Sequence, residues 1–277
     1  MSTFASGSVV VSLDSFQSRE ASALIESNAA FLGALFGEHV RHDEIVPEAL
    51  HSYYADYYLG QIENGGFSQF VYNTEWDQQV VGHVRAGLQA MGALEHLALF
   101  EQGAAIVDNF GAAGLRAYFD SGYFGDNEDR DVLNDINAAF FALNERENLT
   151  ALHSAWLRSL PNLYVMTDAE MAQELRRRAD AMPDRDARIA AARAAEPRWL
   201  QLIRVLCIEA GHEFSRATAG DPAHVHEGRA IVAWHFLTDR GHFYMLDLND
   251  RALMFDGDTH ASHCANHGAS RGIARIH

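Results

Sequence analysis

The spacing of apolar residues changes once along this chain, and that change constrains the fold more than any other feature. From Ser18 to Leu160 they recur every three or four positions, the period of helices with one buried face. After His212 the pattern becomes that of strands, with β-branched and aromatic residues between short polar turns. The two patterns stand in separate blocks. This predicts a mainly α protein, α+β overall, in which a multi-helix domain precedes a small antiparallel sheet.

The helical block can be divided by its stop signals. Leu24, Ile25, Phe31, Leu32 and Leu35 form one stripe that Gly37 ends, and Pro47 can open the next helix, carrying Leu50, Tyr53, Tyr54, Tyr57, Tyr58 and Ile62. A short helix with Phe67, Phe70 and Val71 follows. Thr74-Glu75-Trp76-Asp77 reads as a capping box for a helix bearing Val80, Val84, Leu88 and Met91. Leu94 to Phe110 is helical up to Gly111, Ala112 to Asp120 is a shorter piece, and Val132 to Leu143 and Leu149 to Leu160 complete an all-helical domain over residues 1–165.

Residues 166–211 read as a helical connector. Thr167-Asp168-Ala169-Glu170 is a second capping box, Arg176-Arg177-Arg178 reads as a solvated basic run, and Pro197 opens a helix that Gly211 ends. Residues 212–277 are the β-rich part. Arg229–Thr238, His242–Leu248 and Arg251–Phe255 read as strands, Glu213–Thr218 as a fourth, and the residues after Asp256 as a poorly ordered end.

Charge is concentrated in the first block. The 21 basic residues are all arginine against 38 acids, and residues 1–160 alone hold 7 arginines and 22 acids, a balance of −15. Such a surface repels nucleic acid and anionic membrane and favours a basic partner. Cys207 and Cys264 form no disulfide framework and no C-x-x-C pair. The first residues lack the pattern of a signal peptide, and no run of eighteen apolar residues occurs, so a cytoplasmic protein is expected.

The sequence QIENGGFSQF, residues 61–70, interrupts the helices with Asn64-Gly65-Gly66. A Walker loop requires a lysine, a dinucleotide fingerprint requires a preceding strand, and a nucleophile elbow requires Gly-x-Ser-x-Gly; none is present. The stretch therefore reads as a corner between helices. Asn64 or Gly65 is expected in the left-handed conformation, Gly66 at a close approach, and Phe67 and Phe70 in the core. Asn64, Gln69 and Asn73 are expected to bond the free backbone groups of the corner.

Tyr57-Tyr58 through Gln61, Glu63-Asn64-Gly65-Gly66-Phe67, Gln69-Phe70 and Asn73 together resemble the signature of the bacterial DNA-mimic protein 19 family, and Ala86–Ala93 is similar to its next helix. The resemblance spans about residues 45–160. It implies an acidic, all-helical, dimeric domain whose studied representative occupies the DNA-binding surface of a transcription factor. It carries over no individual contact residue, because mimicry depends on an arrangement of carboxylates.

Two acidic groups are candidates for such a surface: Glu38, Asp43, Glu44 and Glu48, and then Asp126, Glu128, Asp129, Asp131 and Asp135. Acids in a first helical turn also stabilise the helix by about 0.3–1 kcal/mol each, which is the structural alternative for the second group. A different reading is an immunity or inhibitor protein that neutralises a toxin or nuclease; residues 239–248 and 254–256 loosely resemble the closing strands of some immunity domains. A third places metal at the histidine-rich end, with His260, His263, Cys264 and His267 as ligands, although their spacing matches no zinc motif. No enzymatic activity and no cofactor are expected. The tyrosines at 53, 54, 57 and 58 read as core or dimer contact.

Overall fold

The computed structural model describes residues 7–266. It comprises two compact units that divide between Arg185 and Asp186.

In the first unit, β1 (Val9–Ser12) precedes α1 (Leu13–Gln17), whose start is capped by the Ser12 hydroxyl accepting from the Ser15 N–H. There follow α2 (Ala21–Gly37), α3 (Pro47–Gly65), α4 (Phe67–Thr74), α5 (Gln78–Ala90), α6 (Leu94–Asp120), α7 (Glu128–Leu133), α8 (Asn137–Arg146), α9 (Leu149–Ser159), β2 (Leu163–Met166) and α10 (Asp168–Asp180). Pro47 stands at the first position of α3, where its missing N–H costs no bond. Gly111 breaks α6 with φ 62° and ψ 176°, at the stop read from the sequence.

Helix α3 forms the centre. Tyr58 is fully buried, with edge-on contacts to Phe70 and Phe100 at 5.2 Å and to Phe140 at 6.0 Å. Each such buried ring contributes about 1.5–3 kcal/mol of apolar burial. Helices α3 and α5 approach so closely that a Cβ on Gly87 would stand 2.7 Å from the His51 carbonyl oxygen.

Three features of this unit differ from the sequence reading. It is not entirely helical, because the buried Val9, Val10 and Val11 pair in parallel with Leu163, Tyr164 and Val165. Thr74 does not cap α5; it ends α4, its hydroxyl donating to the Phe70 carbonyl at 2.7 Å, and Asp77 caps α5 by accepting from the Gln79 and Val80 N–H groups. The positive φ angles of Glu75 and Trp76 turn the chain between the two helices, leaving Thr74 too far back to act. Finally, α10 belongs to this unit and not to a connector. Its Arg178 is buried, bonded to Glu174 at 2.7 Å and to the Ser8 hydroxyl at 3.0 Å, with its guanidinium over the Phe31 ring.

In the second unit, α11 (Arg185–Ala195, its first residue in the first unit) leads to α12 (Arg198–Ala210), ended by Gly211 in the left-handed conformation. The sheet is an antiparallel meander of β3 (Phe214–Asp221), β6 (Ala233–Thr238), β7 (Gly241–Asp247), β8 (Ala252–Asp256) and β9 (Ser262–Asn266), in that order across the sheet. A small hairpin of β4 (Val225–His226) and β5 (Arg229–Ala230) lies between β3 and β6 in the chain. Leu202, Ile203, Leu206 and Cys207 of α12 pack on Phe236, Phe243, Met245 and Met254, which share one face by the two-residue alternation of strands. Trp199 stacks on Trp234 at 4.3 Å. The predicted meander is present, but α12 is part of its core rather than a connector, and β9 adds a strand where the sequence reading placed a loose end.

Candidate functional site

The corner at residues 61–70 links the two features singled out in the sequence. Helix α3 continues through Asn64 and Gly65, and the turn is made by Gly66 alone, with φ 87° and ψ −177°. Only glycine adopts this conformation readily. Because Gly66 has no side chain to cap α4, the first N–H groups of that helix need other acceptors. Phe67 N–H donates to Asn137 Oδ1 and Ser68 N–H to Asn134 Oδ1, both at 3.0 Å, while the Gln69 and Phe70 N–H groups donate to the Gly66 carbonyl. A Cβ on Gly66 would lie 2.1 Å from Asn137 Nδ2 and 2.4 Å from Asn134 Oδ1.

The expected roles of the polar signature residues are thereby corrected. Gln61 Oε1 accepts from Gln69 Nε2 at 2.9 Å and from Asn73 Nδ2 at 2.6 Å, so Gln61 holds both residues of α4 across the α3–α4 angle. Asn64 is exposed and Asn73 is exposed at the rim of a cleft. The backbone of the corner is satisfied instead by Asn134 and Asn137, and by Tyr118 and Tyr123, whose hydroxyls donate to the Ser68 and Gly65 carbonyls. Phe67 and Phe70 are fully buried, as expected. Nothing local in the sequence assigns Asn134 and Asn137 this task; their spacing of three, beside the buried Leu133 and Ile136, is the only trace of a shared inward face.

Asn134 and Asn137 enclose Asp135 and follow Asp131, so the bonds that complete the corner also fix the second acidic group. The preceding loop is held as firmly. Asn127 accepts from the Arg130 N–H and donates to the Ser121 hydroxyl and Gly122 carbonyl, and Arg130 Nη1 donates to the Tyr123 and Gly125 carbonyls at 3.1 and 2.8 Å. Asp126, Glu128, Asp129, Asp131 and Asp135 are all exposed. Among the described residues only Asp131 of these has an arginine partner, Arg130 at 2.8 Å. Phe124, 89% exposed, projects from the same loop.

The first acidic group is arranged differently. Glu38 pairs with Arg185, Arg41 lies 3.4 Å from Asp43 and 3.5 Å from Glu44, and Glu48 is half-buried with one carboxylate oxygen enclosed. Much of its charge is answered within the unit. Farther along α3, burial and then the charges of Glu26 and Glu63 push the Asp56 carboxyl up to about 6.

Beside the corner lies a cleft of about 500 Å³, lined by Phe36, His42, Tyr53, Tyr54, Tyr57, Asn73, Thr74, Asp77, Gln79 and Val80. Tyr54 and Tyr58 enter the core while Tyr53 and Tyr57 are half-buried, the former pair as expected for packing and the latter facing this cleft. Tyr54 shares a 2.8 Å hydrogen bond with His42 Nε2, and burial, followed by the neighbouring Tyr53 and Asp77, raises its hydroxyl to about 12.

In the second unit the suggested metal ligands diverge. His260 Nδ1 faces the Tyr244 hydroxyl at 3.4 Å, His263 Nε2 faces His212 Nε2 at 3.1 Å, and the Cys264 thiol points to the Leu206 carbonyl; His267 lies outside the described residues. Among the described residues no three donors converge on one point. Strand alternation sends the adjacent His263 and Cys264 of β9 to different faces, and His260 stands in the turn before that strand, with φ 57°.

The first unit is thus an acidic, predominantly helical domain with a fixed carboxylate loop and an aromatic cleft. Residues 43–160 match the family model of DMP19-like proteins. Comparison with curated proteins and with solved structures gives no match. No helix among the described residues is long and apolar enough to cross a membrane.

Proposed function

We propose that the helical unit is a non-enzymatic binding domain that presents carboxylates to the DNA-binding surface of a basic protein, as a DNA mimic. The observation that carries this reading is the loop and helix of residues 126–135, where four exposed carboxylates, Asp126, Glu128, Asp129 and Asp135, have no arginine partner among the described residues and sit on a backbone clamped by Arg130, Asn127, Asn134 and Asn137. Duplex DNA presents about one negative charge per 1.7 Å of its axis, and a rigid scaffold can offer carboxylates to a basic groove reader without the cost of ordering them. The match to DMP19-like proteins supports the same reading. The group around Arg41 is the weaker candidate, because its charges are met internally.

The test is affinity capture from the native extract, followed by competition between the captured protein's duplex DNA and this chain. Capture of a basic DNA-binding protein is expected, with affinity falling as salt rises from about 0.05 to about 0.3 M. The combined variant D126N/E128Q/D129N/D135N should lose the competition while retaining its circular dichroism. Recovery of a toxin or nuclease, with no DNA-binding protein, overturns mimicry in favour of the immunity reading.

A further inference from the structure

We infer that the aromatic cleft of the first unit is a receptor for an arginine side chain of the partner. The inference rests on the reading of this unit as a binder of basic proteins and names the chemical group it would grip. The cleft has ring walls set at a steep angle: Phe36 of α2 and Tyr53 of α3 stand 5.6 Å apart with planes at 80°, and Tyr57 continues the wall one turn along. Rings so placed offer faces and edges to a flat cation, and a guanidinium stacks on them better than a compact ammonium does.

The polar side of the cleft offers acceptors. Asp77 uses only Oδ1 to cap α5, accepting at 2.8 and 3.1 Å from the Gln79 and Val80 N–H groups, and its Oδ2 has no partner among the described residues. Asn73 spends an amide hydrogen on Gln61, leaving its Oδ1 unpaired among the described residues, while the Thr74 hydroxyl donates to the Phe70 carbonyl. The Tyr54 hydroxyl and His42 Nε2 bond each other. A guanidinium carries five donors and no acceptor, so it complements this lining. A carboxylate or phosphate ligand would meet Asp77 and the −15 balance of residues 1–160.

The cleft is assembled by the corner. Gln61 ties Asn73 and Gln69 to α3, and this sets the angle at which α4 delivers Asn73 and Thr74 to the rim. The polar residues of the 61–73 stretch therefore serve the wall of a site, which is why Asn73 is exposed rather than turned to the backbone.

The probe is Nα-acetyl-arginine N-methylamide, with its lysine and citrulline counterparts, titrated into the full chain and followed by ligand-detected NMR. The arginine compound should bind, the lysine compound more weakly, and the uncharged citrulline compound at least about tenfold more weakly. Asp77→Asn retains an oxygen for the α5 cap, so the helix start survives and only the charge is lost. It should weaken arginine binding about tenfold, and Tyr57→Leu should weaken it too, while the quadruple carboxylate variant of residues 126–135 leaves it unchanged.

Equal binding of the citrulline compound, or an unaltered Asp77→Asn variant, overturns the inference. So does an Asp77→Asn change that dissociates a dimer in a chain that binds no probe, which would assign the cleft to a second copy. Failure of probe binding while the chain still competes with DNA removes only the arginine receptor. Probe binding without any such competition removes the DNA mimic and leaves the receptor standing.

Discussion

Replacing Gly66 with alanine should be among the most damaging single changes in the first unit. The backbone at φ 87° and ψ −177° is a region where a side chain costs about 1–3 kcal/mol. A Cβ would also stand 2.1 Å from Asn137 Nδ2 and 2.4 Å from Asn134 Oδ1, so both amides must move off the Phe67 and Ser68 N–H groups. Each N–H left without a partner at this depth costs about 1–3 kcal/mol. The expected loss is therefore about 3–9 kcal/mol, a large share of the about 5–15 kcal/mol that holds a typical domain.

The assay is urea unfolding in a chain with Trp199 and Trp234 replaced by phenylalanine, so that fluorescence reports the first unit through Trp76, which packs on Phe67 and Phe100, and through Trp156 of α9. The same substitution is then made in an Asn134→Ala/Asn137→Ala background. There the amides are already gone, and only the backbone cost of about 1–3 kcal/mol remains. A loss below about 1 kcal/mol in the parent chain would refute the cost assigned to the Gly66 conformation, and an equal loss in both backgrounds would refute the crowding of the two amides.

Three further outcomes follow from the titrating groups. Burial, assisted by Glu26 and Glu63, raises Asp56 from 3.8 to about 6, so its favourable contribution is complete below about pH 4 and is lost as pH rises through 6; Asp56→Asn should stabilise the first unit by about 2–3 kcal/mol at pH 7.5 in denaturant unfolding, with no gain at pH 4. Glu174 moves the other way, from 4.5 to about 2, chiefly through its hydrogen bond from Arg177 and then that from Arg178. Its contribution is present above 4.5 and fades as pH falls towards 2, and Glu174→Gln should cost about 3 kcal/mol at pH 7 because Arg178 stays buried without its partner. Burial lowers His153 from 6.5 to about 3, with its Nε2 at 2.8 Å from the Ser52 hydroxyl; the stability of the neutral ring is lost as pH falls below 6.5, and His153→Gln should flatten the slope of the urea midpoint between pH 6.5 and 4, even if it lowers the midpoint at pH 8.

Most of the elements, and the family resemblance, were legible in the sequence because their determinants are local. The stripes ending at Gly37 and Gly211, the proline opening α3 and the Thr167 capping box each depend on residues within a few positions, and each is where the sequence placed it. The corner was recognised as a corner for the same reason. Composition likewise located the excess negative charge, since ionisation at pH 7 needs no tertiary information for exposed acids.

What the tertiary structure decided are the partners that lie far apart in the chain. The amides that complete the corner come from 66 and 70 residues away, and the valines of β1 find their strand at β2 only once the helices between have folded. Folding likewise decided which acids meet distant arginines, and so which remain for a partner: Arg185 pairs with Glu38 across 147 residues, while no arginine reaches Asp126, Glu128, Asp129 or Asp135 among the described residues. The cleft needed the same long-range assembly, with rings from α2 and α3 facing one carboxylate at the start of α5. A sequence encodes period, cap and turn through neighbours. It encodes a site only through the packing that brings distant side chains within hydrogen-bonding reach, where short-range forces choose among them.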